Sequence, residues 1–358
     1  MGTVLIRPPG HRRDVALRPA ATAMVWIGEG QRHEMIAVPG VSLADDDVLV
    51  AVEMSTICAD DLTAVHSRHG AAPRVPGHES VGRVIALGDH GALTVDGTAL
   101  RIGDRVVWST TIACGRCPHC ADGFTQNCVD GSRYGEDRIG AHGELSGTFG
   151  THVQLRRGTA IVRVPETLPA AVLAPASCAA ATAVAALRRV GHDLDGHSVR
   201  VHGASLTGLA AAAIAAEQGA VVEIVEPDPA RQEWARRFGS TELDAAPDIV
   251  IVTTADAVSA AIRGVAVAGT VVLVGRQLPG EPATIDAADL AARLVTIVGV
   301  HDASARDLTD AVAFLSGRGR AYPFADVVGD VRPLGDLDAA LVAASVARTP
   351  LRVGVIPG

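Results

Sequence analysis

Four cysteines stand close together at Cys114, Cys117, Cys120 and Cys128, a C-x2-C-x2-C-x7-C spacing. Short knuckles of this kind let backbone N–H groups point at sulfur while four thiolates close a tetrahedral shell, the pattern of a structural zinc with no open position. Iron also suits a soft tetrathiolate set. His119, inside the knuckle, reads as a solvated loop residue. Two further cysteines, Cys58 and Cys178, have no obvious disulfide partner. Cys58 follows a β-like run, His78 lies in Pro76-Gly77-His78-Glu79 at the start of another strand, and Cys178 sits in Ala174-Pro175-Ala176-Ser177-Cys178-Ala179. Two thiolates and an imidazole leave a fourth tetrahedral position open, which a Lewis-acid zinc needs to polarise an alcohol or carbonyl oxygen. Taken singly, each of the three is more often a core or surface residue, so spacing does not by itself establish the site.

A third constellation lies downstream. The run Ser198 to His202 leads into Gly203-Ala204-Ser205-Leu206-Thr207-Gly208 and then an Ala-rich stretch to about Gln218. This is a Rossmann fingerprint with its middle glycine replaced by Ser205: Gly203 allows the tight turn, Gly208 lets helix and strand pack closely, and the helix N-terminus faces a pyrophosphate. Ser205 crowds the phosphate approach, or else donates its hydroxyl to a phosphate oxygen. Glu226 ends the next strand, where an acidic residue takes the ribose hydroxyls and repels a 2′-phosphate, favouring NAD over NADP. The competing reading makes Glu226 a surface residue and Arg231 a phosphate ligand.

These residues need elements to hold them. To about residue 165 the chain carries short β-like runs separated by Gly, Pro and Asp, including Val48–Val52, Gly82–Leu87 and Asp104–Trp108. From about Ala170, Ala-rich helical stretches alternate with short apolar strands at 198–202, 221–225, 249–252 and 270–274, the rhythm of a parallel sheet with helices on both faces. Asp307–Leu315 and Leu351–Ile356 read as a return to the first domain. A length of 358 residues allows about two domains. With 48% hydrophobic but only 3% aromatic residues, the core is built from Ala, Val and Leu. All 31 basic residues are Arg, which excludes Schiff-base, pyridoxal-phosphate, Walker-type NTPase and Tyr/Lys dehydrogenase chemistry. A net charge of −9 leaves no basic stripe, so neither nucleic acid nor an anionic membrane is an expected partner. The first ten residues have no apolar signal-like run, and the chain reads as soluble and cytoplasmic.

Gly77-His78-Glu79, Cys58 upstream, the four-cysteine lobe and the nucleotide-binding half together resemble the zinc-dependent medium-chain alcohol dehydrogenases over nearly the whole chain. The likeness is closest to the phosphonate-catabolism-associated branch, through Arg133-Tyr134-Gly135-Glu136, Leu145–Phe149, Gly158–Pro165, Ala174–Ala179 and Gly299-Val300-His301-Asp302. The resemblance implies a Rossmann doubly wound parallel sheet plus a β-rich GroES-like catalytic domain with a structural-zinc lobe. It assigns 1–178 and 303–358 to the catalytic domain and 179–302 to the NAD-binding one. It implies catalytic zinc on Cys58, His78 and Cys178, with Glu79 able to approach the metal, and structural zinc on Cys114, Cys117, Cys120 and Cys128. Asp61 matches the carboxylate that orients the zinc-binding histidine. Arg231 would lie beside the adenosine ribose, Val274-Gly275-Arg276 would line the nicotinamide, and Arg352 would reach the pyrophosphate.

One departure falls in the active site. Where the family has Ser or Thr to start a proton relay, this chain has Asp60, and the relay's downstream His is Thr63. Asp60 then acts as the proton acceptor, binds a cationic group such as a substrate amine, or points away and leaves the relay to Thr63 or water; the first is favoured. The expected activity is hydride transfer between NAD and a polar small alcohol: a phosphonate, a polyol or sugar-like alcohol, or an amino alcohol. Two other readings stand beside it, a non-redox zinc lyase or hydratase on the same fold and a degenerate NAD- and zinc-binding scaffold. By resemblance the protein is expected to be a homodimer or homotetramer.

Overall fold

The computed structural model describes residues 12–65, 73–140, 143–275, 283–346 and 351–358. Two antiparallel strands, β1 (Arg13–Val25) and β2 (Glu34–Leu43), form a ribbon. The first main sheet takes β3 (Val48–Ile57), β4 (Glu79–Leu87), β5 (Arg105–Ile112) and β6 (Ser132–Arg133) in sequence, with β7 (His152–Leu155) on β3 and β8 (Thr159–Arg163) on β5. Helix α1 (Ala59–Val65) follows β3 directly, α2 (Pro118–Ala121) lies in the cysteine lobe, and α3 (Ala170–Leu173) precedes α4 (Ala179–Arg188).

The second sheet is parallel: β9 (Ser198–His202), β10 (Val221–Val225), β11 (Ile249–Val252), β12 (Thr270–Val274) and β13 (Thr296–Val300), in the spatial order β10-β9-β11-β12-β13. Its first four strands have the bounds read from the sequence. β11, Ile249-Val250-Ile251-Val252, is buried throughout, as a central strand covered on both faces must be. Helices α5 (Leu206–Glu217), α6 (Pro229–Arg237), α7 (Val258–Gly264) and α8 (Ala287–Ala292) make the connections. The chain runs outward from β9 to β10 and returns past β9 to β11. The topological switch therefore lies between β9 and β11, where such sheets open a crevice at the strands' carboxyl ends. This is a doubly wound α/β unit joined to a β-rich one, the fold class expected.

The last elements divide. Helix α9 (Ala305–Ser316) packs along α4, where Arg188 bonds Asp307 at 2.7 Å and Asp310 at 2.6 Å. After β14 (Val328–Pro333) and α10 (Leu337–Val346), strand β15 (Arg352–Ile356) inserts between β14 and β3. One core runs through both units, from Val81 and Val107 across Ala179–Ala186 to the alanines of α5 and on to Leu308 and Leu315. Helix α5 is apolar on every side because it is enclosed on every side. No single described helix is long and apolar enough to cross a membrane.

Candidate active site and metal centres

Strand register builds the first site. Pairing of β3 with β4 sets Thr56 opposite Glu79, and pairing of β15 with β3 sets Gly354 opposite Thr56. Cys58, just past the end of β3, and His78, just before β4, are thereby brought side by side, with Cys58 Sγ 3.2 Å from His78 Nε2. Gly77 makes the bend that aims His78: its φ is +94°, and a Cβ there would lie 2.6 Å from Thr148 Oγ1 and 2.9 Å from Phe149 N. Cys178 arrives from a 3-10 turn, Ala174–Ser177, immediately ahead of α4. Asp60 comes from the first turn of α1. One donor atom from each of Cys58, Asp60, His78 and Cys178 lies within 4.8 Å of every other.

Asp61 is the third residue of α1, and its carboxylate reaches back to accept the Cys58 N–H at 2.9 Å, as an N-terminal capping carboxylate does. Its other oxygen is 3.6 Å from His78 Nδ1, leaving Nε2 turned toward the sulfurs. Burial pushes the Cys58 thiol up, but hydrogen bonding from Cys178 and the charge of His78 outweigh it and hold the group well below the ordinary thiol range. Cys178 goes the other way, pushed up by its hydrogen bond to Cys58 and by burial. His78 is raised against the penalty of burial, because Cys58 and Asp61 favour the imidazolium. Thiol and imidazole donors packed this closely shed protons when they bind a cation. The set of two sulfurs, an imidazole and a carboxylate fits zinc.

Three expectations need correction. Glu79 is not among the converging donors: its carboxylate, wholly buried, accepts from Thr56 Oγ1 at 2.6 Å, Arg352 Nε at 2.9 Å and Arg352 Nη2 at 3.0 Å. Arg352 accordingly does not reach for a pyrophosphate. Two residues before Gly354 on β15, it shares that residue's face and lies under the metal cluster, where Glu79 holds it charged despite burial. Thr63 is no relay member either, since its exposed hydroxyl donates to Ala59 O at 3.0 Å within its own helix. Asp60, in contrast, points into the cluster, which sets aside the reading that turned it away.

A narrow cavity of about 30 Å³ joins this cluster to the nucleotide half, lined by Asp60, Cys178, Thr207, Thr253, Gly275 and Asp302 among others. Gly203 has φ +99°, and a Cβ there would strike Thr253 Oγ1 at 2.6 Å, so the turn at the switch point requires glycine. At Gly208 a Cβ would lie 2.2 Å from Gly203 O, the close helix-to-strand approach expected of the last fingerprint glycine. Ser205 is the N-cap of α5: it accepts the Gly208 N–H at 3.1 Å and donates to Thr253 Oγ1 at 3.3 Å. Its hydroxyl is thus spent inside the turn. Glu226 accepts from Ala204 N at 2.8 Å and Asp228 N at 2.9 Å, which fixes the carboxylate beside the turn. Half-buried Arg231 follows on the first turn of α6. Gly275 lines the cavity, and Arg276 lies outside the described residues.

Asp302 was not singled out by sequence reading except within a motif. It has φ 55°, bonds Arg133 Nη1 at 2.5 Å and lies 3.2 Å from His301 Nε2. The signal was the simultaneous presence of the Arg133 and His301-Asp302 motifs, which the fold brings together across 169 residues.

The four-cysteine lobe stands apart. Sulfurs of Cys114, Cys117, Cys120 and Cys128 all fall within 4.8 Å of one another. The Cys114 N–H points at Cys128 Sγ (3.2 Å) and the Cys117 N–H at Cys114 Sγ (3.4 Å). N–H groups of Cys120 and Val129 hold the Cys117 thiol down to about 6. A closed tetrahedral zinc fits this set. His119 is exposed, its ring on Asn127 O at 2.6 Å, and takes no part.

Residues 44–166 match the family model of the alcohol dehydrogenase GroES-like domain. A geraniol dehydrogenase from Castellaniella defragrans is 30% identical over 297 residues, 73% of this chain and 77% of its own. An L-threonine 3-dehydrogenase from Aeromonas salmonicida is 32% identical over 216 residues, 58% of this chain and 57% of its own, so that match spans little more than half of the relative. Among solved structures, an alcohol dehydrogenase from Thermotoga maritima superimposes with a TM-score of 0.87 over 94% of this chain and 99% of its own, at 23% identity.

Proposed function

The chain belongs to the zinc-dependent medium-chain alcohol dehydrogenase family, and from that premise we propose that it oxidises a polar small alcohol, or reduces the matching carbonyl, with NAD. The observation that carries the reading is the shared cavity: donors of the metal cluster, Asp60 and Cys178, face Thr207, Thr253 and Gly275 of the nucleotide half across one narrow space. When bound, zinc supplies Lewis-acid polarisation of the substrate oxygen, and the nicotinamide accepts the hydride.

The chain's own residues do the rest. Cys58, His78 and Cys178 hold the metal, and Asp61 keeps Nε2 of His78 aimed at it. Asp60, at the cavity wall, takes the hydroxyl proton. The Gly203 to Gly208 turn and the N-terminus of α5 receive the pyrophosphate, Glu226 receives the ribose hydroxyls and disfavours a 2′-phosphate, and Arg231 stands beside it. The same reading divides the chain into a catalytic unit of 1–178 and 303–358 and an NAD-binding unit of 179–302, acting as a cytoplasmic homo-oligomer.

Phosphonate, polyol and amino alcohols are the candidate substrate classes. NADH production by zinc-replete protein on hydroxyalkylphosphonates, polyols and amino alcohols tests the proposal. Turnover on one class is expected; NADH binding without turnover on any class would overturn it.

A further inference from the structure

We infer that Asp60 is a fourth protein donor to the metal, so that the site of Cys58, His78 and Cys178 is closed until substrate displaces the carboxylate. The inference rests on the zinc reading above. Three carboxylates surround the cluster, and each has its own task. Glu79 is saturated by Thr56 and Arg352. Asp61 serves the Cys58 N–H and faces Nδ1 of His78. Asp60 is the carboxylate that places an oxygen within 4.8 Å of both sulfurs and the imidazole nitrogen. Bonds of about 2.0–2.3 Å around a tetrahedral zinc would set donors roughly 3.3–3.8 Å apart, so four side chains with donor atoms already this close need only small adjustments to enclose an ion.

Asp60 and Cys178 also line the narrow cavity between the cluster and the nucleotide half, so a substrate entering there meets the carboxylate beside the sulfur. Asp60 is itself only half-buried and stands on the first turn of α1. A hard carboxylate oxygen is also the weakest partner in a set otherwise made of thiolates and imidazole.

The exchange gives the displaced carboxylate its proton. With zinc and substrate bound, Asp60 would accept the hydroxyl proton, an Asp60 Oδ–H bond replacing the alcohol O–H bond, and the nicotinamide would accept the hydride from the carbinol carbon.

Metal retention tests this directly. Wild-type, Asp60→Asn and Asp60→Ala proteins are loaded with zinc, dialysed, assayed for zinc per chain and titrated with a chromophoric chelator. The wild type is expected to hold two zinc ions released in separate steps, and Asp60→Ala to lose at least tenfold in affinity for one of them. The other, in the four-cysteine lobe, reports that the variants are folded. After cobalt replacement, the visible spectrum of the wild type is expected to resist millimolar imidazole while that of Asp60→Ala shifts. If all three proteins hold both zinc ions equally tightly and their cobalt spectra respond alike, Asp60 is not a donor, and the dehydrogenase reading stands. If the wild type holds zinc in the cysteine lobe alone, both fall.

Discussion

At the scale of single residues, the charged groups around the metal cluster differ by what they touch. Asp60 and Asp61 are adjacent in sequence, yet one faces the metal donors and the other the backbone of Cys58. Glu226 is fixed by two backbone N–H groups and needs no reorganisation to meet a ribose. Glu226→Ala is expected to weaken NADH binding about tenfold, the worth of one charge-assisted hydrogen bond, and to narrow the preference over NADPH; fluorescence titration with both nucleotides measures it. Because the Thr63 hydroxyl is engaged within its own helix, Thr63→Ala is expected to keep kcat/KM within about twofold of the wild type in steady-state assays. What sequence reveals here depends on distance along the chain. The four-cysteine lobe is legible from spacing, since a local knuckle writes its geometry into consecutive residues. Cys58, His78 and Cys178 are not, because strand register and a domain-joining turn bring them together, and only resemblance pointed to them. Arg352 was misplaced for the same reason: nothing near it in sequence announces Glu79.

At the scale of elements, three neighbouring strands carry the floor of the metal cluster. Register alone places Arg352 of β15, Thr56 of β3 and Glu79 of β4 on one buried face. Removing one partner leaves the other charge buried, at a cost of about 3–5 kcal/mol. Arg352→Met is therefore expected to lower the urea midpoint of unfolding, and adding Glu79→Gln to restore part of the loss. The parallel strands were readable because strands buried on both faces appear as unbroken apolar runs. The ribbon of β1 and β2 was not read: β1 alternates only weakly, carries Pro19 and changes register between Ala16 and Ala21. Helix α9 was recognised as amphipathic and read as a return to the first domain; it touches β5 and β8 of that domain's sheet and also packs along α4. Its partner α4 is determined by side-chain complementarity, Arg188 with Asp307 and Asp310, which a hydrophobic period does not encode.

At the scale of the whole molecule, two units share one alanine-rich core, and each approaches the same cavity from its own side. The cysteine lobe is a local fold that supplies no residue to that core, so its loss should be felt as stability and not as cofactor affinity. Cys117→Ser is expected to remove about one zinc per chain and to lower Tm by roughly 3 °C, as for a loss of about 2 kcal/mol, while NADH binding persists; metal analysis, calorimetry and titration together check it. The fold class was legible because composition, the change of texture near residue 170 and the glycine turn agree. The substrate was not, because the cavity wall is drawn from Asp60, Asp302 and Gly275, residues far apart in the chain. The pairing of Glu79 with a residue 273 positions later has a consequence for biosynthesis. While a ribosome is still translating the nucleotide half, Glu79 already exists but its guanidinium does not. The floor of the metal cluster is thus completed only after the nucleotide half has been made.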